Sequence, residues 1–317
     1  MVDAFVTVID TYTAGDPMRD DVLWTNLTRS EIAGRLADEG YEVSVTVVDH
    51  LLDEFDMGLR KPQKVKTMRH DPERDAQFQR IAQLKAEYLE AGLPVLSMDT
   101  KKKEILGDYA RPGRVFSNAP LRAWDHDFLT HSQGVVIPHG LYDVARNEGY
   151  LHLGTSHDTS QFAAQAIISW WNNYGRHRYP DLLSLLLLCD GGGSNSSRRL
   201  VFKEQLERVT DRTGLILHVA HYPPGCSKYN PIEHRLFPHV TRKLQGIFLK
   251  SVDMVRDLAR RATTSNGLRV LARRLRGLYE VGKKAAVQCV HQLRIIFDPV
   301  LPRWNYIVLP KPIWDVI

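Results

Sequence analysis

Apolar residues first fall into a helical rhythm between Thr28 and Phe55. Ile32 and Leu36 share one face of a first short helix, Thr28 and Glu31 stand at capping-box spacing before it, and Gly40 supplies its stop. Ser44 can cap a second helix that carries Val48, Leu51, Leu52 and Phe55 along one side. Helix, Gly-containing turn and second helix fit a helix-turn-helix, and equally a plain helical hairpin. A polar basic stretch follows, with Arg60, Lys61, Lys64, Lys66 and Arg69 around Pro62, and reads as a linker. Asp71-Pro72 then opens a helix expected to reach about Ala91, with Phe78, Ile81, Ala82, Lys85, Tyr88 and Leu89 at helical spacing and Gly92 at its end.

From residue 94 the period changes. A short apolar strand over 94–98 ends in Asp99, and strands over 135–144 and 150–155 flank the turn Asn147-Glu148-Gly149. Asp158 is the expected cap of a helix containing Phe162, Ala166, Ile167, Trp170 and Trp171, the two tryptophans reading as core. A buried strand over 182–189 ends in Asp190. A helix over about 197–213, a strand over 215–220 and a helix opened by Asn230-Pro231 follow. Strands alternating with helices in this way predict a mixed α/β sheet with helices packed on it.

The 317 residues are 43% hydrophobic and 25% charged, the texture of a soluble globular chain of roughly two domains, without repeats or low-complexity tracts. The longest apolar run, 182–189, is strand-sized and interrupted by Ser184, far short of the ~18–20 residues of a membrane span. No signal peptide is visible behind Asp3, and Cys189, Cys226 and Cys289 make no disulfide framework, so a reducing cytoplasm is expected. The net charge of +5 hides an asymmetry: residues 235–317 hold 16 Lys and Arg against 5 Asp and Glu, while residues 1–234 are net acidic. A basic tail is either a polyanion contact or a solvated helical surface.

Three carboxylates stand where such a scaffold exposes them. Asp99 and Asp190 each close a strand, and strand ends face the crevice where open α/β sheets bind ligands. Glu233 lies in the first turn of the helix opened by Asn230-Pro231. Brought together, three carboxylates repel one another, and Mg²⁺ relieves that repulsion. Each also has a plain structural reading: Asp99 and Asp190 as turn residues, Glu233 as the partner of Asn230 in a capping box. Gly191-Gly192-Gly193 after Asp190 favours a close backbone approach, and no Lys-Ser/Thr follows to make a P-loop. His218, His221, Cys226 and His234 do not have zinc spacing, since His218 and His221 point to opposite faces of a strand.

Four strings carry a family resemblance: residues 97–104 (SMDTKKKE), 137–143 (IPHGLYD), 189–195 (CDGGGSN) and 222–237 (YPPGCSKYNPIEHRLF), joined by Trp304-Asn305-Tyr306. Occurring in this order, they resemble the DDE transposases of the ISAzo group of bacterial insertion sequences, related to the Tc/mariner assemblage. The resemblance runs from about Asp16 to the end. It implies an RNase H-like mixed sheet with flanking helices, preceded by a small all-α module of helix-turn-helix type. It implies Asp99, Asp190 and Glu233 as the metal-binding and catalytic triad, Asp99 and Asp190 bridging two Mg²⁺ ions (Mn²⁺ as substitute) and Glu233 ligating one. The expected organisation is a DNA-binding module and linker over 1–70, the catalytic core over 71–250 and a basic extension over 251–317.

Expected partners are the element ends and target DNA, held by a homodimer at the bacterial nucleoid. Candidate phosphate contacts are Lys101, Lys102, Lys103, Lys228, Arg235, Arg260, Arg261, Arg269, Arg273, Arg274, Arg276, Lys283 and Lys284. Departures from the family are Cys226 in place of a more usual Thr, Ser196 in place of a frequent Gly, and a shorter start, as though the chain enters near the second of two helix-turn-helix modules. A decayed, non-catalytic DNA-binding relative and a stand-alone RNase H-like nuclease are the rival readings.

Overall fold

A computed structural model describes residues 1–11, 13–16, 19–25, 27–60, 71–126, 128–192, 197, 199–282 and 293–312. The expected linker over 61–70, Gly193, Ser196, Lys283, Lys284 and Cys289 lie outside the described residues. The chain divides into two compact units, Met1–Lys66 and Thr67–Ile317. Among the described residues no helix is long and apolar enough to cross a membrane.

The first unit holds α1 (Val2–Thr11), an antiparallel hairpin of β1 (Thr13–Asp16) and β2 (Arg19–Thr25), α2 (Arg29–Asp38) and α3 (Val45–Glu54). The Thr28–Glu31 capping box is formed, and Ser44 caps α3 by accepting from the Val47 amide. Ile32, Leu36, Val48 and Leu51 close a core with Phe5, Val8 and Ile9 of α1. Helix α1 is not foreshadowed by the apolar pattern because its Val, Thr and Ile residues are β-branched, which blurs the helical signal although Phe5, Val8 and Ile9 share a face.

The second unit is built on one nine-stranded mixed sheet. Its elements, in chain order, are α4 (Arg74–Glu90), β3 (Val95–Thr100), β4 (Glu104–Ile105), β5 (Val135–Asp143), β6 (Glu148–Gly154), α5 (Ser160–Trp170), α6 (Arg176–Arg178), β7 (Ser184–Cys189), α7 (Leu200–Thr213), β8 (Ile216–His221), α8 (Pro231–Arg235), α9 (Phe237–Lys243), α10 (Val252–Arg260), β9 (Arg269–Arg274), β10 (Ile295–Phe297) and β11 (Asn305–Val308). Across the sheet the order is β10-β11-β8-β7-β3-β5-β6-β9, with β4 paired to the start of β5. β7 runs parallel to both β3 and β8, β5 is antiparallel to β3 and β6, and β9 is parallel to β6.

Alternation along the strands separates two faces. On one, Leu96, Met98, Leu141, Leu187 and Val219 pack with Ala163, Ile167 and Trp170 of α5 and with Phe202 and Leu206 of α7. On the other, α4 covers Val95, Leu186 and Leu188 through Ile81 and Leu84, while α8, α9 and α10 cover Tyr142, Leu151 and Val270 through Ile232, Phe237 and Val255. This is the mixed sheet with flanking helices that the sequence leads one to expect.

Three local readings are corrected. Asp71 does not cap α4; its carboxylate accepts from the Glu73 amide in a turn one residue before the helix begins. The cap of α5 is Thr159, whose hydroxyl accepts from the Phe162 amide, not Asp158. Residues 251–317 are not an appendage: they supply α10 and the strands β9, β10 and β11. β10 and β11 escape the sequence pattern because they are short, and β9 because Arg269, Arg273 and Arg274 flank its apolar centre at the sheet edge.

Candidate active site

In the parallel register of β3 and β7, Met98 lies opposite Cys189. The next residue of each strand is a carboxylate, so Asp99 and Asp190 emerge side by side at the carboxyl edge, on the face covered by α4 and α8. Neither is fully buried. Asp190 accepts from the backbone amides of Gly191 and Gly192, and burial nevertheless raises its pKa. Glycine is required at 191 for a steric reason: a Cβ there would stand 2.6 Å from the Tyr222 carbonyl oxygen, where the loops after β7 and β8 pass each other.

Glu233 reaches this edge because α8 is tied to β3. The Ser97 hydroxyl donates to Asn230 Oδ1 at 2.5 Å and accepts from the Ile232 amide at 2.9 Å. Asn230 Nδ2 donates to the Met98 carbonyl at 3.1 Å, and both Ser97 and Asn230 are fully buried. The Asn230 side chain makes no cap bond to α8. The capping-box reading of Glu233 is therefore replaced by a different role for Asn230, which docks the helix start onto the strand that carries Asp99. Beneath α8 the sheet presents glycine: a Cβ on Gly140 would come within 2.7 Å of Ile232 and 2.8 Å of Phe237, and one on Gly149 within 2.3 Å of Leu236.

The three carboxylates sense one another. Burial raises the Asp99 pKa to about 8, and the charges of Asp190 and Glu233, together with a hydrogen bond to Glu233, add to the rise against the opposing Thr100 amide. In the absence of a counter-cation a proton takes the position of positive charge among them. Hard carboxylate oxygens with unrelieved repulsion are the donor set a divalent cation such as Mg²⁺ takes. Among the described residues no three His, Cys, Asp or Glu side chains are drawn into a ready-made metal cage.

Behind Asp190 lies support that the sequence strings contained but did not explain. His221, fully buried, makes a 3.3 Å hydrogen bond from Nδ1 to the Asp190 carbonyl and a 3.0 Å bond from Nε2 with the Tyr306 hydroxyl. Gln77 of α4 donates to the His221 carbonyl and exchanges hydrogen bonds with Asn305. The Trp304-Asn305-Tyr306 string thus braces the loop that holds Asp190. His218 lies on the opposite face, its ring edge-on to Tyr88 at 5.9 Å.

The basic candidates separate by what they already touch. Lys101 is buried and ion-paired to Glu104, which also pairs with Arg111, so its ammonium is committed within the fold. Lys102 and Lys103 are exposed, as are Arg235, Arg261 and Arg269. Lys228 lies over the Tyr229 ring at 5.0 Å. The exposed Arg260 donates twice to the Ala272 carbonyl, at 3.1 and 2.8 Å, and Arg273, Arg274 and Arg276 gather near it.

The mixed sheet thus delivers Asp99 and Asp190 from adjacent strand ends, with the helix that carries Glu233 docked beside them. Residues 4–310 match the family described as the Rhodopirellula transposase DDE domain, and the chain belongs to that family. Comparison with curated proteins gives no match. Among solved structures, the chain is similar to the Mos1 transposase paired-end complex with left transposon end (15% identity, 81% of this chain and 69% of that one, TM-score 0.46). It is also similar to the Mos1 strand transfer complex (14% identity, 81% and 68% covered, TM-score 0.45) and to the mariner Mos1 paired end complex with Mg (14%, 81% and 69%, TM-score 0.45).

Proposed function

We propose that this DNA transposase uses Asp99, Asp190 and Glu233 as its catalytic carboxylates. The observation that carries the reading is the emergence of Asp99 and Asp190 side by side from β3 and β7, with α8 pinned beside them, in a chain of the transposase DDE family. The substrate is a phosphodiester at the end of an insertion element. Water attacks its phosphorus and the 3′-oxygen leaves as a hydroxyl; that 3′-hydroxyl then attacks a phosphodiester of target DNA, joining to its phosphorus and displacing the target strand's own 3′-oxygen. Asp99, Asp190 and Glu233 would hold Mg²⁺, with Mn²⁺ as substitute. A pair of such ions would stabilise charge on the attacking and leaving oxygens. The chain's own part is to aim three carboxylates at one point: the β3–β7 register fixes two, and the Ser97–Asn230 docking fixes the third.

Lys102, Lys103, Lys228 and Arg235 surround this edge in sequence and suit the DNA backbone. The capped α2 and α3 of the first unit suit the helix-turn-helix reading, with α3 as the helix that enters a major groove. Because two element ends must be joined, the active form is read as a homodimer on DNA, acting at the nucleoid in the cytoplasm.

The test is incubation of the full chain with plasmid DNA bearing the inverted repeats that flank its gene, in Mg²⁺ or Mn²⁺. Metal-dependent nicking at the repeat ends is expected, and Asp190→Ala should abolish it. Nicking retained by Asp190→Ala would sink the assignment.

A further inference from the structure

Asp253, Arg256 and Arg260 lie at i, i+3 and i+7 on one face of α10, and with Arg273, Arg274 and Arg276 at the end of β9 they line a cavity of about 250 Å³. Five guanidinium groups against two carboxylates, Asp253 in the lining and Asp257 beside it, leave a local excess of positive charge. Their existing partners are unequal. Arg256 is paired to Asp253 at 2.6 Å and Asp257 at 2.8 Å, and Arg260 is held on the Ala272 carbonyl. No hydrogen bond or ion pair within the described residues engages the Arg274 or Arg276 guanidinium, and both side chains are exposed.

The sheet gives this cluster a defined place. Asp99 is paired with Gly140, Gly140 with Leu151 and Leu151 with Ala272, so one row crosses β3, β5, β6 and β9 on a single face. Arg274 is two residues beyond Ala272 on the same face of β9, which runs in the same direction as β3. The cluster therefore lies at the edge that carries Asp99, displaced by three strand spacings, about 14 Å at ~4.8 Å each. Along a duplex, with one phosphate per ~3.4 Å on each strand, that is about four base pairs.

We propose that the α10–β9 arginine cluster is a second anion site, a clamp for a DNA backbone phosphate about four base pairs from the bond held at Asp99. The ligand chemistry is a phosphodiester oxyanion, for which the planar guanidinium fork is suited. The distance to the cut rests on the transposase reading; the anion site itself does not. Asp253 and Asp257 set its strength, because they compete with phosphate for Arg256.

The test uses the full chain, a fluorescent mixed-sequence duplex and EDTA, so that binding is measured without metal. Arg274→Gln/Arg276→Gln should weaken binding about tenfold at low salt and reduce the slope of log affinity against log salt by about 0.9, the change for one phosphate no longer neutralised. Asp253→Asn should strengthen binding severalfold, an effect no loss of folding can mimic. Millimolar ATP or inorganic phosphate should leave the duplex bound. Wild-type affinity and slope in the double arginine variant would overturn the clamp, and so would displacement by ATP, which would mark a free-nucleotide site. Nicking in Mg²⁺, scored separately, reports on the transposase reading, so either can fail without the other.

Discussion

The Ser97 hydroxyl and the Asn230 side chain meet at 2.5 Å across 133 positions of sequence, and that contact couples the strand of Asp99 to the helix of Glu233. Both side chains are fully buried, so neither can turn to water when its partner is removed. Asn230→Ala should cost about 1–3 kcal/mol of stability and lower nicking by more than tenfold in protein that is still folded, since a shift near 1 Å is enough to misplace a reacting group. Paired thermal melts and nicking assays check this. A variant that loses stability but keeps full nicking would show that α8 stays in place without the contact.

Asp99 is held in the fold against its own preference, its pKa lifted to about 8 first by burial and then by Asp190 and Glu233. Asp99→Asn should abolish nicking and, in metal-free buffer at neutral pH, melt above the parent chain, because the Asp99 carboxylate of the unfolded chain must take up a proton on folding and a neutral amide need not. Adding MgCl₂ should raise the melting temperature of the parent, as any ligand of the native state does, and leave Asp99→Asn and Asp190→Asn unmoved. An equal Mg²⁺ response in all three proteins would place cation binding elsewhere.

Asp99 and Asp190 are legible in the sequence because a carboxylate at the end of an apolar strand is a local signal, and parallel register then brings the two together without further instruction. Glu233 is legible as a candidate, but the reason for its position is not. Asn230 looks like a helix cap in sequence, and only the folded chain reveals that its amide is spent on Ser97 and Met98. Lys101 escapes for a related reason: in the run Lys101-Lys102-Lys103 nothing local distinguishes a buried ion pair from a solvated charge. The strand β9 is hidden by its arginines, which sit at a sheet edge where polar residues are tolerated, and α1 by its β-branched residues.

Acid should destabilise the second unit through two buried histidines paired across β5 and β6. Burial lowers the His139 pKa to about 4 against the raising influence of Asp158, and lowers that of His152 to about 3, with His139 and Arg273 adding to the effect. Both rings are neutral in the folded chain and titrate near 6.5 once unfolded. The unfolded chain therefore binds more protons below that value. Stability is fully present above pH ~6.5 and falls as the pH drops toward about 4 for His139 and about 3 for His152. Among the described residues neither ring nitrogen of His152 has a hydrogen-bond partner, so His152→Leu should be neutral or stabilising at pH ~7 and flatten the acid loss. Urea denaturation at pH ~7 and ~5 measures the difference. A parent-like fall in the variant would assign the acid sensitivity elsewhere.

The three consecutive lysines after Asp99 should part company on mutation. Lys101 and Glu104 are each about 8% exposed at the side chain, and Arg111 is the second partner of the same carboxylate. Lys101→Ala leaves Glu104 with only Arg111, and a loss of about 1–3 kcal/mol is expected, less than the ~3–5 kcal/mol for stripping a buried charge of its sole partner. Lys102 and Lys103 point to solvent, where truncation should shift stability by less than about 0.5 kcal/mol. Their effect should instead fall on DNA: each removal weakens binding across all sequences and lowers the salt slope by about 1. The two measurements cross over, stability moving for Lys101 and salt-dependent affinity for Lys102 and Lys103. A Lys101→Ala protein with parent stability and reduced DNA affinity would return that side chain to the DNA interface.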